Sequence, residues 1–254
     1  MSFDPVSRLD GKVAVITGGL GAIGYATAMR LAALGATCVL LHRKGDDAAA
    51  RAAALPSADG QRHSAIRADI VDTPSLQAAA AEVKATHGRC DILVNSAGHT
   101  QPIAAADLDA LTDELIDDLL RANFRGVFAT IRAFAPMLKQ SGDGLIANIS
   151  SIAGFTGVGS NLAYVAAKAG LDVVGDALAK AMAPAVRVVS VSPGAVESGF
   201  VPGRGAEFAG KMASTTPLGR IGKPDDVAAA VEALATTMRF VTGTRIVVDG
   251  GRHL

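Results

Sequence analysis

The sequence predicts an α/β fold: a doubly wound, seven-stranded parallel sheet in the order 3-2-1-4-5-6-7 with helices on both faces. Three observations predict it. Short runs rich in valine, isoleucine and leucine alternate with helical patterns almost from end to end. Most of those runs are continuous, without in/out alternation, as strands covered on both faces must be. A glycine-rich turn, TGGLGAIG at 17–24, directly follows the first of them.

Lys12–Ile16 is the first strand, and the glycine turn leads from it into a helix near 22–34. Thr37–Leu41 is the second strand, followed by a helix near 46–54, and His63–Ala68 is the third. The next helix, near 75–87, is announced by Asp72, Thr73 and Pro74, since proline suits a first helical turn that needs no N–H. Asp91–Val94 forms the fourth strand, ahead of a long helical stretch at 109–139. Gly144–Ile149 and Val186–Val191, the fifth and sixth strands, flank a helix at 162–183. Pro224, Asp225 and Asp226 open a last helix at 224–237, and Arg245–Val248 closes the sheet. Right-handed crossovers between parallel strands produce the doubly wound order. No linker, repeat or charge block interrupts the alternation, so 1–254 reads as one domain. Only 198–220 is long and irregular; its glycines and lack of a firm period read as a mobile substrate lid over about 198–216.

Half of the residues are hydrophobic and 19% are charged, ample for a large core. Lysine plus arginine equal aspartate plus glutamate at 24 each, so net charge draws the protein to neither nucleic acid nor an anionic membrane. Cys38 and Cys90 sit in or beside apolar runs without metal or redox spacing, which reads as reduced interior thiols of a cytoplasmic protein and no metal site. MSFDPVSRLDGK lacks the apolar segment of a signal peptide. Residues 145–167 are uncharged and long enough to span a bilayer. Their Asn148, Ser150, Ser151, Thr156, Ser160, Asn161 and Tyr164 would go unsatisfied there, so a soluble protein is expected.

In such a sheet ligands sit beyond the carboxyl ends of the strands, where the order reverses. A pyrophosphate at 17–24 would meet free amides and the positive end of a helix. The stretch has two readings: G-x-G-x-x-G from Gly19, or T-G-x-x-x-G-x-G from Thr17 with Ala22 in the middle glycine position. The second strand should end beside an adenosine ribose, where a carboxylate would grip the 2′-hydroxyl. Here His42, Arg43 and Lys44 follow, with no acid until Asp46. Arg43 can fork onto a 2′-phosphate, which favours NADP(H) over NAD(H); a solvated basic turn is the other reading. His42 reads as a packing or ribose-edge residue. Asp69, ending the third strand, could accept from an adenine amino group or simply hold a turn.

Tyr164 and Lys168 are four residues apart and share a helix face. A phenol must lose ~3 units of pKa to exchange protons readily at neutral pH, about 4 kcal/mol. One cation ~4 Å away supplies that at an effective dielectric of ~20. Ser151, at the end of the fifth strand, lies on the same sheet edge as the glycine turn; its hydroxyl could hold a substrate oxygen or cap a turn.

These residues match a family. TGGLGAIG (17–24), ADI (68–70), NSAG (95–98), NISS (148–151), YVAAK (164–168), SPGAVES (192–198) and PLGRIGKPDDVA…VTG…VVDGG (217–251) recur in this order and spacing. With them the chain resembles the single-domain branch of the short-chain dehydrogenases/reductases over essentially its whole extent. The resemblance implies a Rossmann-type sheet and a catalytic tetrad of Asn123, Ser151, Tyr164 and Lys168. Tyr164 would donate a proton to a carbonyl oxygen that Ser151 polarises. Lys168 would bind the nicotinamide ribose and lower the tyrosine pKa, and Asn123 would hold a relay water. From the residues alone, Asn123 reads as an ordinary helix residue.

The same resemblance puts Gly18, Gly21, Ala22, Ile23 and Gly24 at the pyrophosphate, with Gly24 for close packing. It sets Asp69, Ile70, Asn95, Ala97 and Gly98 along the adenosine, and Pro193, Gly194, Val196 and Ser198 around the nicotinamide. Four positions depart from the pattern: Ala22, Ser96 for a common asparagine, Ser198 for a usual threonine, and Gly21 where NADP-preferring relatives often carry a basic residue. The C-terminal run looks most like the 3-oxoacyl-(acyl-carrier-protein) reductases. The expected activity is hydride transfer between NADP(H) and a small carbonyl or secondary alcohol. NAD-dependent oxidation of a sugar, polyol or cyclic alcohol is the alternative, and a non-catalytic nucleotide sensor the third. His99, Gln101, Phe155 and the lid suggest a mixed apolar–polar substrate pocket without a fixed anion anchor. In the family, helices such as 109–139 and 162–183 pair across subunits, which implies a homotetramer or else a homodimer.

Overall fold

Seven parallel strands stand side by side in the order 3-2-1-4-5-6-7 in the computed structural model, which describes residues 8–58, 60–203 and 205–254. The leading residues 1–7 of the expected leaderless start, and position 204 of the expected lid, lie outside those described residues. β1 (Val13–Thr17) runs between β2 (Thr37–His42) and β4 (Ile92–Asn95), so that Ile16 faces Leu40 on one side and Val94 on the other. β3 (Ser64–Arg67) closes one edge. β5 (Gly144–Ile149), β6 (Val186–Pro193) and β7 (Thr244–Val248) extend the other.

Every residue of β1, β4 and β5 is buried, which is why their sequences carry no polar face. Successive side chains point to opposite sides of a strand. Val13 and Val15 therefore join one apolar layer, under α3 (Thr73–His87), α5 (Gly126–Ser141) and α7 (Leu162–Met182). Ala14 and Ile16 join the other, under α1 (Ala22–Ala33), α2 (Ala48–Ala53) and α9 (Pro224–Ala235). Phe134 of α5 is completely buried in the first layer, a contribution of roughly 2–3 kcal/mol. Asp91 ties the amino ends of the strands together. Its carboxylate accepts from Val13 N at 2.9 Å and from both Nε and Nη2 of Arg89, at 2.8 and 2.6 Å.

Three elements differ from the sequence expectation. The helix expected at 109–139 is three pieces: α4 (Asp113–Leu120), a π-helical turn at Arg121–Arg125, and α5. The Gly126 N–H reaches back five residues to the Arg121 carbonyl. A Cβ at Gly126 would stand 2.9 Å from the Ile70 carbonyl, so the widened turn and the glycine together let this helix press against the β3–α3 loop. The stretch expected to be irregular contains a helix, α8 (Ala206–Ser214). No residue of α8 is buried, so no apolar stripe of core width marked it in the sequence. A further single turn, α6 (Ala153–Thr156), follows β5. Among the described residues, no helix is long and apolar enough to cross a membrane. Both cysteines are buried, and burial pushes the Cys38 thiol up to about 12.

Candidate active site

The carboxyl ends of β1, β4, β5 and β6 open onto one cavity of about 1000 Å³, at the point where the strand order reverses. The turn after β1 forms its floor. Gly18 has φ +62, and a Cβ there would lie 3.0 Å from the Ala97 backbone. A Cβ on Gly24 would come within 2.3 Å of the Gly18 carbonyl oxygen, which no relaxation of a side chain could relieve. Gly19 is fixed by a contact that sequence reasoning missed: a Cβ there would lie 2.8 Å from Cβ of Leu40 on β2. Gly21 is extended at φ −73, ψ 164, so its freedom to adopt positive φ is not used.

Ala22 opens α1 on helical backbone, and no non-glycine residue among those described has positive φ. Its methyl is therefore accommodated, and no side chain caps the α1 amino end beside it. Thr17 fastens this floor to the loop after β4, its Oγ1 accepting from Ser96 N at 3.1 Å and Ala97 N at 3.2 Å.

Gly18, Gly21, Ala22, Ile23, Arg43, Asp69, Ile70, Ala97 and Gly98 all line the cavity. Three expected cofactor residues do not. Gly24 packs beneath Gly18. His42 points away from the cavity, its Nδ1 buried without a partner. Asn95 bridges strands instead, donating from Nδ2 to Asn148 Oδ1 at 2.8 Å. Alternation along a strand explains the outcome at the end of β2: Leu41 and Arg43 face the cavity, so His42 between them cannot. Asp69 Oδ1 accepts from Val71 N at 3.1 Å, holding its own turn at the cavity wall.

Ser151, just past β5, lines the cavity and accepts from Ala153 N at 3.1 Å. Asn161 starts α7 by accepting from Tyr164 N at 2.7 Å, and this cap sets where Tyr164 and Lys168 fall on the helix. Both line the cavity although only 8% and 5% exposed. The Tyr164 ring packs against Phe200, 6.0 Å between centroids. Lys168 Nζ donates to the Ile149 carbonyl at 2.8 Å and sits 5.5 Å from the Tyr164 ring centroid. Burial lowers the Lys168 pKa to about 8, with the Asp172 carboxylate opposing.

Asn123, in the π turn, is completely buried and does not line the cavity. Its Nδ2 donates to the carbonyls of His99 at 2.9 Å and Leu119 at 3.0 Å, while its Oδ1 is buried without a partner. A Cβ on Gly98 would lie 2.5 Å from that Oδ1, so the glycine of NSAG makes room for the asparagine.

Pro193, Gly194, Val196 and Ser198 line the other end of the cavity. Gly194 passes so close to Asp249 that a Cβ would lie 2.8 Å from the aspartate Cβ. Phe208, Ala209 and Met212 put one face of α8 onto the same cavity. His99, an expected substrate contact, lines the cavity paired with Asp118 at 2.7 Å; sequence reasoning missed Asp118 and Arg252 on the same wall. The sequence predicts no fixed anion anchor, and Arg252 sets a cation on the cavity wall. The only signal was its place immediately after Gly250 and Gly251, whose φ of +67 and +85 turn the chain back from β7.

A family model described as Enoyl-(Acyl carrier protein) reductase matches residues 19–253. The chain is 36% identical to a D-threitol dehydrogenase of Mycolicibacterium smegmatis, over 99% of this chain and 96% of that protein. It is 34% identical to a 3-oxoacyl-[acyl-carrier-protein] reductase of Aquifex aeolicus, over 96% and 98%. The crystal structure of a dehydrogenase/reductase from Sinorhizobium meliloti superposes with a TM-score of 0.87 at 33% identity, covering 97% of each chain.

Proposed function

Because this chain belongs to the short-chain dehydrogenase/reductase family of oxidoreductases, which act on CH–OH and carbonyl groups, we propose that it moves hydride between NADP(H) and a small carbonyl or secondary alcohol. A 3-oxoacyl thioester is the substrate that its C-terminal run and its 3-oxoacyl-[acyl-carrier-protein] reductase relative favour. One observation carries the reading: Ser151, Tyr164 and Lys168 share a cavity with the glycine turn after β1.

The turn fits a dinucleotide: Gly18, Gly21, Ala22 and Ile23 line the cavity beside an uncapped helix start, held there by backbone packing that Cβ atoms at Gly18 and Gly24 would break. Gly21, Ala22 and Ile23 would hold the pyrophosphate, Arg43 the 2′-phosphate, and Pro193, Gly194, Val196 and Ser198 the nicotinamide. When bound, the nicotinamide supplies or accepts the hydride. Tyr164 Oη gives its proton to the substrate oxygen, and Ser151 Oγ donates to that same oxygen. A charged Lys168 at 5.5 Å from the phenol ring favours the phenolate by about 3 kcal/mol at an effective dielectric of ~20. With a pKa near 8 it is mostly charged at neutral pH and can also donate to the nicotinamide ribose. Asn123 fixes the His99 carbonyl, and its unpartnered Oδ1 suits a relay water.

NAD-dependent oxidation of a polyol is the second reading. It is favoured by the lack of a basic side chain at Gly21 and by the D-threitol dehydrogenase relative. Phe128, Leu162 and Val173 expose apolar surface on α5 and α7, which supports a homotetramer joined through those helices, to be checked by light scattering. The burial of two free thiols supports a cytoplasmic location. The decisive test follows absorbance at 340 nm with NADPH and NADH against acyl-thioester, sugar and cyclic-ketone substrates, for the native protein and Tyr164→Phe. Turnover should vanish in Tyr164→Phe while cofactor binding, read by fluorescence, survives. Unchanged turnover refutes the mechanism, and a strong NADH preference refutes the NADP assignment.

A further inference from the structure

Arg252 is a cation on the cavity wall for which neither the proposed chemistry nor the proposed cofactor has a use. The paired glycines after β7 fold the C-terminal residues back against the end of α8, where a Cβ on Gly250 would lie 2.8 Å from Thr216 Cγ2. The guanidinium is then pinned on one side only. Its Nη1 donates to the Met212 carbonyl at 3.1 Å, to Thr215 Oγ1 at 2.7 Å and to Thr216 Oγ1 at 3.5 Å. Nε and Nη2 make no hydrogen bond to the described residues. None of the cavity's carboxylates, Asp69, Asp118 and Glu197, is ion-paired with Arg252, and Asp118 is taken by His99. The neighbouring Asp249 is committed to His253 and to the Gly251 amide.

The free Nε/Nη2 edge is the one that grips a carboxylate side-on through two parallel bonds. Among the described residues that edge is used so three times elsewhere. Arg8 clasps Asp10 at 2.6 and 2.8 Å, Arg30 clasps Asp225 at 2.6 and 2.7 Å, and Arg89 clasps Asp91 at 2.8 and 2.6 Å. At Arg252, which lines the cavity, the described residues supply no carboxylate to that edge. We propose that Arg252 is a substrate anchor, and that the substrate is a small oxo or hydroxy acid whose carboxylate binds this fork. Phe208 and Met212 of α8 line the same cavity and provide the apolar surface for the carbon skeleton between the carboxylate and the reacting carbon. The anchor deepens the hydride-transfer reading and rests on it for the identity of the reacting group. It replaces the thioester as the preferred substrate class.

Pinning α8 is the other thing Arg252 could do, since a cation at a helix carboxyl end is favourable in itself. The test separates the two. Oxo acids with one to five carbons between ketone and carboxylate are assayed against their methyl esters, with the native enzyme, Arg252→Gln and Arg252→Lys. Gln keeps a donor for α8 and loses the charge; Lys keeps the charge and loses the fork. The native enzyme should favour the best acid over its ester by ~10-fold to 100-fold in kcat/KM, the range of a charge-assisted pair. Arg252→Gln should abolish that preference while leaving ester turnover within about twofold, and Arg252→Lys should fall between.

A native enzyme indifferent to the carboxylate overturns the proposal, and so does an equal loss on acids and esters in Arg252→Gln. Calorimetric titration with hexanoate, which cannot be reduced at a ketone, reads the anchor without turnover. Hexanoate binding that needs Arg252 in a protein that reduces no ketone would keep the anchor and sink the hydride reading. Ketone turnover with no Arg252-dependent hexanoate binding would do the reverse. A phosphate monoester preferred over both acid and ester would overturn the carboxylate assignment.

Discussion

Lys168 offers a test of the buried cavity wall that needs no substrate. Burial holds its pKa at about 8 in the folded protein, against 10.5 in an open chain. The unfolded state therefore binds more protons between those two values, and stability rises with pH across that window. At pH 7 nearly the whole burden of the buried ammonium is felt, about 3 kcal/mol at ~1.4 kcal/mol per tenfold change in proton affinity. At pH 9.5 only about 1 kcal/mol remains, because the folded group is then mostly neutral while the unfolded one is still charged. Lys168→Met removes the titration. It also forfeits the bond to the Ile149 carbonyl and the company of Asp172, but those losses shift the variant's stability without giving it this pH dependence. Chemical denaturation of both proteins at the two pH values should show the native protein gaining about 2 kcal/mol relative to Lys168→Met. A difference that stays flat means Lys168 titrates as in an open chain, and the buried-ammonium account fails.

Gly24→Ala should place a methyl 2.3 Å from the Gly18 carbonyl, costing ~1–3 kcal/mol and displacing the glycine turn. A lower melting temperature together with weaker dinucleotide binding checks it, and native binding would mean the turn tolerates the methyl. Arg43→Ala should raise KM for NADPH by ~10-fold to 100-fold and leave NADH untouched; equal effects on both would remove the 2′-phosphate role. Asp91→Ala should lose ~2–3 kcal/mol in denaturant titration, less than a fully buried pair because Arg89 and Lys12 can turn to water. Since Asp91 ties the amino ends of the strands, far from the cavity edge, kcat of the folded variant should be unchanged.

Much of this molecule was legible locally. A strand covered on both faces shows a continuous apolar run, so β1, β4 and β5 declared both their position in the chain and their burial. The four-residue spacing of Tyr164 and Lys168 put them on one helix face, while the Asn161 cap that sets their place on α7 came from the structure. Ala22 as a helix opener followed from the same reasoning, because an L-residue at that place must keep negative φ. The opening of the glycine turn was less transparent. Gly21 adopts an ordinary extended conformation, and Gly19 is held by Leu40, a residue of another strand.

The sequence by itself determined the sheet, its order, and the presence of a glycine turn on the same sheet edge as a Ser–Tyr–Lys set. Tertiary structure alone decided which neighbours face the cavity. It turned His42 and Asn95 away and widened the helix at Asn123 through the approach of Gly126 to Ile70. It also folded α8 without a buried face and carried Arg252 to the end of that helix. The physical reason is one of range. Helix and strand periods arise from backbone geometry over a few residues, so they are written in adjacent positions. The exposure of a side chain to a cavity is set by segments tens of residues away, whose close approach leaves no period in the chain.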